Sequence, residues 1–158
     1  LPNKGFQVVS TSAETLRELT EIRLLLEIRV TTEIAKTITP KQIARLREIA
    51  TAIQEFAVKK DLLHFIELDR EFHSGILELS GNKMLVEVAD QFRSRARIHA
   101  LPYIMASGQL ETSAFEHIQI LDAMGKRDLE TVARVMEHHI NYTIDAMLSM
   151  SLVKKASK

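Results

Sequence analysis

Apolar residues recur at spacings of three and four along almost the whole chain, the pattern of helices that each bury one face. Leu16, Leu19, Ile22, Leu25, Leu26, Val30 and Ile34 form the first such run and predict a helix starting near Ser12. Thr39-Pro40 marks the next boundary, because a threonine cap followed by proline satisfies loose amides and presets the backbone. A second helix is expected over 40–58. Asp61 opens a third with Leu62, Phe65, Ile66, Leu68, Phe72, Ile76, Leu77 and Leu79, and Ser80-Gly81 closes it, glycine supplying the left-handed residue. Asn82 can cap a fourth, running through Met84, Leu85, Val88, Phe92 and Ile98 to Leu101-Pro102, where proline should break or kink it. A fifth spans Gln109 to Met124 and stops at Gly125; a sixth opens at Asp128 and runs through Val132, Val135, Met136, Ile140, Ile144 and Met147 before a Lys-rich tail. The expected fold is all-α, an antiparallel bundle of about six helices.

The start of the chain reads differently. Pro2-Asn3-Lys4-Gly5 is turn chemistry and Phe6-Gln7-Val8-Val9 is rich in strand formers, so residues 1–10 look like the end of another unit.

Composition narrows the functional classes. The 158 residues suit one domain with a core of its own, and only 5 Gly and 3 Pro favour long helices. Lys plus Arg and Asp plus Glu both total 21, so nothing global draws this chain to phosphates or an anionic membrane. The absence of cysteine excludes disulfides, thiolate nucleophiles and Cys-based zinc ribbons, so any metal must use His and carboxylates. No stretch approaches the roughly 20 apolar residues that span a bilayer, and no signal-peptide layout is present, which makes the cytoplasm the expected location.

Asp69 and His73 stand four apart on the third helix, where both side chains reach the same face and can grip one ion; a solvated, locally bonded pair is the alternative. His117 lies mid-helix between apolar turns. Of the neighbours His138 and His139, the spacing to Val135, Met136 and Tyr142 favours His139 as the inward one. Three helices then present a nitrogen or oxygen toward the interior, a common way to build a metal site in a bundle. Burying such groups without a partner is costly, and a cation would offset that cost. His64 and His99 are lone histidines with an ordinary surface or core role.

The run FIELDREFHSGILELSGNKML, Phe65 to Leu85, resembles the FadR C-terminal-domain (FCD) class of GntR-superfamily transcription regulators, with its aspartate, Phe-His and Ser-Gly-Asn in order. EHIQILDAMGKRDLETVARVMEHHI, Glu116 to Ile140, and EIRLLLE, Glu21 to Glu27, resemble the same class. The resemblance implies a helical bundle holding a divalent metal on one Asp and three His, with a small organic effector above it. Carried over by position, the ligands are Asp69, His73, His117 and His139; the role of His138 stays open. It further implies that residues 1–10 end a winged-helix DNA-binding domain, 11–150 form the effector domain and 151–158 a tail. The implied partners are a second copy of the chain, a small carboxylate, and operator DNA only through the N-terminal domain.

Two arginines are candidate effector clamps, since planar guanidinium pairs bidentately with carboxylates. Arg23 lies in the apolar stripe of the first helix, where an ion pair with Glu27 is the alternative; Arg95 matches a family arginine, or belongs to a solvated cluster with Arg93 and Arg97. Imidazole with carboxylate suits Zn or Ni, with Mn or Co also compatible. The competing function is a helical metalloenzyme on the same Asp/His site. Against it, no general base is evident, and the Glu-x-x-His pairs of helical di-iron proteins are absent.

Overall fold

The computed structural model describes residues 13–107 and 110–156, with side chains described for 14–97, 110–142, 144 and 145. The expected extended segment 1–10 and the Ser12 cap lie outside them. Among the described residues there are six helices and no strand. Helix α1 is one continuous rod of Ala13–Arg23, a wider π-helical turn Leu24–Ile28, and Arg29–Ala35. After it come α2 (Pro40–Lys59), α3 (Leu62–Glu78), α4 (Lys83–Ser107), α5 (Leu110–Lys126) and α6 (Leu129–Ala156).

The π turn solves a problem of register. Inward positions on α1 are Leu16, Leu19, Thr20 and Arg23, then Glu27, Thr31, Ile34 and Ala35. At about 100° per residue, inward positions four apart drift steadily round a regular helix. A wider turn unwinds the rod and keeps both halves facing the bundle. Glu27, inside that turn, is only 1% exposed.

Caps follow the sequence closely. Thr39 and Gln42 form a capping box: the Gln42 amide donates to Thr39 Oγ1 at 3.3 Å and the Thr39 amide to Gln42 Oε1 at 2.8 Å. Asn82 Oδ1 accepts from the Leu85 amide at 3.1 Å and Asp128 Oδ1 from the Thr131 amide at 3.1 Å. Gly81 takes φ +71°, the left-handed closing conformation.

Three boundaries depart from expectation. Gly125 does not end α5; the helix reaches Lys126 and Arg127 takes the left-handed φ of 55°. The reason is hydrogen bonding: the Arg127 and Asp128 amides donate to the carbonyls of Met124 and Ala123, both at 3.0 Å, a closure that fixes residue 127 as the turning point. Helix α4 continues through Pro102 to Ser107, since proline withdraws one helical hydrogen bond while the turns on either side keep theirs. Helix α6 runs past Met147 to Ala156.

Helix α2 packs on α3 and α5, and α4 packs on α1 and α6. The main core contains Ile53, Phe72, Ile76, Ile120, Leu121, Met124, Met136 and Ile140. A smaller apolar cluster of Leu16, Leu19, Ala96 and Ile144 ties α1, α4 and α6 together.

The two glycines should respond to alanine with opposite signs. Gly81→Ala forces a Cβ into the left-handed region and should cost roughly 1–2 kcal/mol. Gly125 is helical with open space around it, so Gly125→Ala should leave stability unchanged or raise it by up to about 1 kcal/mol. Urea denaturation of both variants measures this; destabilisation by Gly125→Ala would show that residue 125 closes the helix after all.

Candidate metal centre

Helix α3 carries Asp69 and His73 one turn apart, α5 carries His117 and α6 carries His139. All four are buried: 8%, 2%, 0% and 7% exposed. Phe72, fully buried on the same face of α3, sets its ring edge-on to His73 and His117, with centroids 5.2 and 4.7 Å away. The apolar stripe that folds α3 thus also aims its polar pair inward.

Four atoms converge. His73 Nε2 lies 3.0 Å from His139 Nε2 and 3.2 Å from His117 Nε2, while Asp69 Oδ1 lies 3.2 Å from His117 Nε2 and 3.7 Å from His73 Nε2. One ligand atom from each residue lies within 4.8 Å of all the others. Donors about 2.1 Å from a divalent ion stand roughly 3.0 Å apart at a right angle and about 3.4 Å at a tetrahedral one. The observed spacings therefore fit a shared ion, as does the donor chemistry of three imidazoles and one carboxylate.

Protonation agrees with that fit. Burial, with the nearby Arg93 charge, depresses the His73 pKa well below the usual histidine range. Burial also lowers that of His139, against the opposing pull of Glu116. Both rings are accordingly neutral and carry a lone pair. For Asp69 burial acts upward, but a hydrogen bond with His117 and the charges of Arg93 and Arg97 prevail and hold it well below the usual carboxylate range.

A line of alternating charge leads away from the cluster. Asp69 Oδ2 accepts from Arg97 Nη2 and from Arg93 Nη2 (3.1 Å); Arg93 Nη1 donates to Glu27 Oε2; and Arg23 Nε donates to Glu27 Oε1 at 2.7 Å. Arg23, Asp69, Arg93, Arg97, His139 and Tyr142 line a cavity of about 60 Å³. On the other flank Glu116, 4% exposed, accepts from His138 Nδ1 at 2.6 Å and from His139 Nδ1 at 2.8 Å. Two buried atoms, Arg93 Nε and His117 Nδ1, have no hydrogen-bond partner.

The structure thus brings Asp69, His73, His117 and His139 together. Arg23 pairs with Glu27, its alternative reading, and also lines the cavity. Arg95 is not brought to the site: it is exposed, roughly 200° round α4 from Arg93 and from Arg97, which take the inward positions instead. His64 lies at the surface, its Nδ1 2.8 Å from Asp61 Oδ2 and its ring stacked on Phe56. His99 falls outside the described side chains. Arg93, Arg97 and Glu116 are site residues that sequence reasoning did not single out. For the arginines a signal existed, since Ala89, Phe92, Arg93, Ala96 and Arg97 share one helical stripe.

Residues 18–142 match the family model for the FCD domain. The chain belongs to the FCD domain family. Among curated relatives, the transcriptional repressor NanR of Cronobacter sakazakii is 29% identical over 140 residues, covering 87% of this chain and 53% of the relative. The transcriptional regulator McbR of Escherichia coli is 25% identical over 145 residues, covering 88% of this chain and 66% of that protein. The chain thus spans about half to two thirds of the length of these relatives. Among solved structures, E. coli McbR/YncC superposes with a TM-score of 0.75 at 22% identity, covering 86% of this chain and 65% of that one. Streptococcus agalactiae GntR superposes with a TM-score of 0.73 at 24% identity, covering 90% and 64%. Both confirm the all-α FCD fold. FCD is the regulatory, effector-binding domain of GntR-family regulators, so the metalloenzyme alternative is set aside. Among the described residues no helix is long and apolar enough to cross a membrane.

Glu27 joins two arginines in the interior; its removal takes away the carboxylate that Arg23 pairs with and leaves Arg93 with Asp69 alone. Burial alone would raise its pKa, but Arg23 and Arg93 outweigh burial and lower it. A depressed folded pKa means the stabilisation is complete above the unfolded value and is lost as pH falls through the folded one. Glu27→Gln should therefore cost roughly 3–5 kcal/mol at neutral pH, with the gap to wild type narrowing in acid below about pH 4. Urea titrations at both pH values check this; a gap that stays constant or widens in acid would contradict the pairing.

Proposed function

We propose that this domain holds a divalent metal ion on Asp69, His73, His117 and His139 and senses a small organic carboxylate beside it. The observation that carries the reading is the convergence of His73, His117 and His139 through Nε2 at 3.0–3.2 Å in the buried interior. When bound, the ion supplies a Lewis-acidic positive centre; Zn or Ni suits the donors best, and Mn or Co is compatible.

The charge balance defines the ligand class. A dication with three neutral imidazoles and one carboxylate keeps one net positive charge. The cavity wall adds Arg23, Arg93 and Arg97 against Glu27, so an anion is favoured there. Arg23 and Arg97 take the clamping role, since Arg95 faces away. Hydroxy acids, dicarboxylates and sugar acids meet the charge condition; at about 60 Å³ the cavity is smaller than such molecules, so binding requires its lining side chains to give way.

In this reading the domain acts on DNA only through a partner segment. Its relatives are HTH-type regulators with substantial length beyond the shared region, and that length holds the proposed operator-binding domain. Regulators that read paired half-sites bind as dimers, which makes a second copy of the chain the expected partner in the cytoplasm. The effector shifts DNA affinity only as far as it binds two arrangements of the protein unequally.

Elemental analysis of purified protein tests the ion. Wild type should carry about one first-row divalent metal per chain, as a site with four protein ligands implies, and Asp69→Ala or His117→Ala should carry almost none. Full retention in both variants, or none in wild type, would overturn the assignment. A chelator should lower the melting temperature of wild type, and a dicarboxylate should raise that of the metal-loaded form, the added stability being about 2.7 kcal/mol at a hundredfold excess over Kd. Loss of the dicarboxylate effect in Arg97→Ala with metal retained would identify the clamp.

A further inference from the structure

We infer that Glu116 is the positioning residue of the metal centre: it fixes the tautomer and direction of His139, and His138 anchors Glu116 in turn. The inference rests on the metal reading above. Glu116 immediately precedes His117 on α5, yet its side chain leans toward α6, where both oxygens are used. Oε2 lies 2.8 Å from His139 Nδ1 and Oε1 lies 2.6 Å from His138 Nδ1.

An ionised carboxylate only accepts hydrogen bonds, so the hydrogen of neutral His139 must sit on Nδ1. Nε2 is then left with its lone pair, and this is the atom 3.0 Å from His73 Nε2 at the cluster centre. The other tautomer would set a lone pair against a carboxylate, unfavourable in a buried site, and would put an N–H where a metal needs a lone pair. Glu116 itself is not among the four converging donors. It acts through the ring it holds, as carboxylates behind metal-bound histidines do.

The site is lopsided in this respect. His117 Nδ1 is buried without a partner, whereas His139 has a carboxylate partner. His139 is therefore the better oriented of the two ligands. The same geometry explains the adjacent histidines. Successive helical residues diverge by about 100°, so one of the two points away from the centre, and Glu116 bridges both. The His138 side chain is 69% exposed, so its removal should leave the fold intact.

The test compares wild type, Glu116→Ala, Glu116→Gln and His138→Ala. Zn²⁺ affinity of the chelator-stripped chain is measured by competition, and imidazole tautomers are read by long-range ¹⁵N NMR at mildly alkaline pH. Glu116→Ala should weaken Zn²⁺ binding about 10–100-fold, and stripped wild type should show His139 with its hydrogen on Nδ1, a preference the alanine variant loses. Glu116→Gln, whose amide oxygen can accept the same bond, should recover part of both. His138→Ala should weaken binding less than Glu116→Ala does. Unchanged affinity in folded Glu116→Ala, or a wild-type His139 protonated on Nε2, overturns the inference. If Glu116→Ala does not fold, the wild-type tautomer and the glutamine variant decide. A wild type that takes up no Zn²⁺ defeats the metal reading instead, and the tautomer readout then judges Glu116 separately.

Discussion

Three imidazole nitrogens and one carboxylate oxygen face one another in a water-poor interior, and the polar architecture of the bundle is arranged around that crowding. Neutral imidazoles at 3.0–3.2 Å can share at most a few hydrogens, and polar groups buried without partners cost several kcal/mol. A shared cation, as proposed, would resolve the crowding. The outer oxygen of Asp69 is met by Arg93 and Arg97, the Arg93 charge is met by Glu27, and Glu27 is also held by Arg23. Each buried charge thus has an opposite neighbour, the condition under which charges persist inside a protein.

This alternation joins the cluster to the helix frame. Glu27 reaches the interior because α1 widens into a π turn there, a feature common at functional sites. Helix α1 packs on α4 and α6, which supply Arg93, Arg97 and His139. An anion entering the cavity would compete with Glu27 and Asp69 for the same guanidinium groups. Apart from Arg23–Glu27, which lies within α1, the contacts it would rearrange join different helices, so a local change there would bear on their packing.

The helices and the four convergent donors were legible in the sequence because both obey helical spacing. Asp69 and His73 sit one turn apart beside Phe72 and Ile76, and His139 shares a stripe with Val135 and Met136. That spacing favoured His139 over His138, and the resemblance to FCD sequences pointed to the same residue. Arg93 and Arg97 were hidden by Arg95: three arginines at alternate positions read as a solvated cluster until Glu27 and Asp69 are seen opposite two of them. Glu116 was hidden because its partners lie on another helix, and no spacing within α5 announces a contact with α6. Gly125 and Pro102 misled for a different reason. Residue type suggests where a helix can end, but the hydrogen bonds available to the next residues decide it, as at Arg127.

Anomalous X-ray scattering from crystals of the metal-loaded protein, collected at the absorption edge of the bound element, locates an ion without reference to any assumed ligand. One peak should stand about 2.0–2.2 Å from Nε2 of His73, His117 and His139 and from a carboxylate oxygen of Asp69. A peak elsewhere, or imidazoles turned away from a common point, would contradict the assignment of this bundle as a metal-centred sensor.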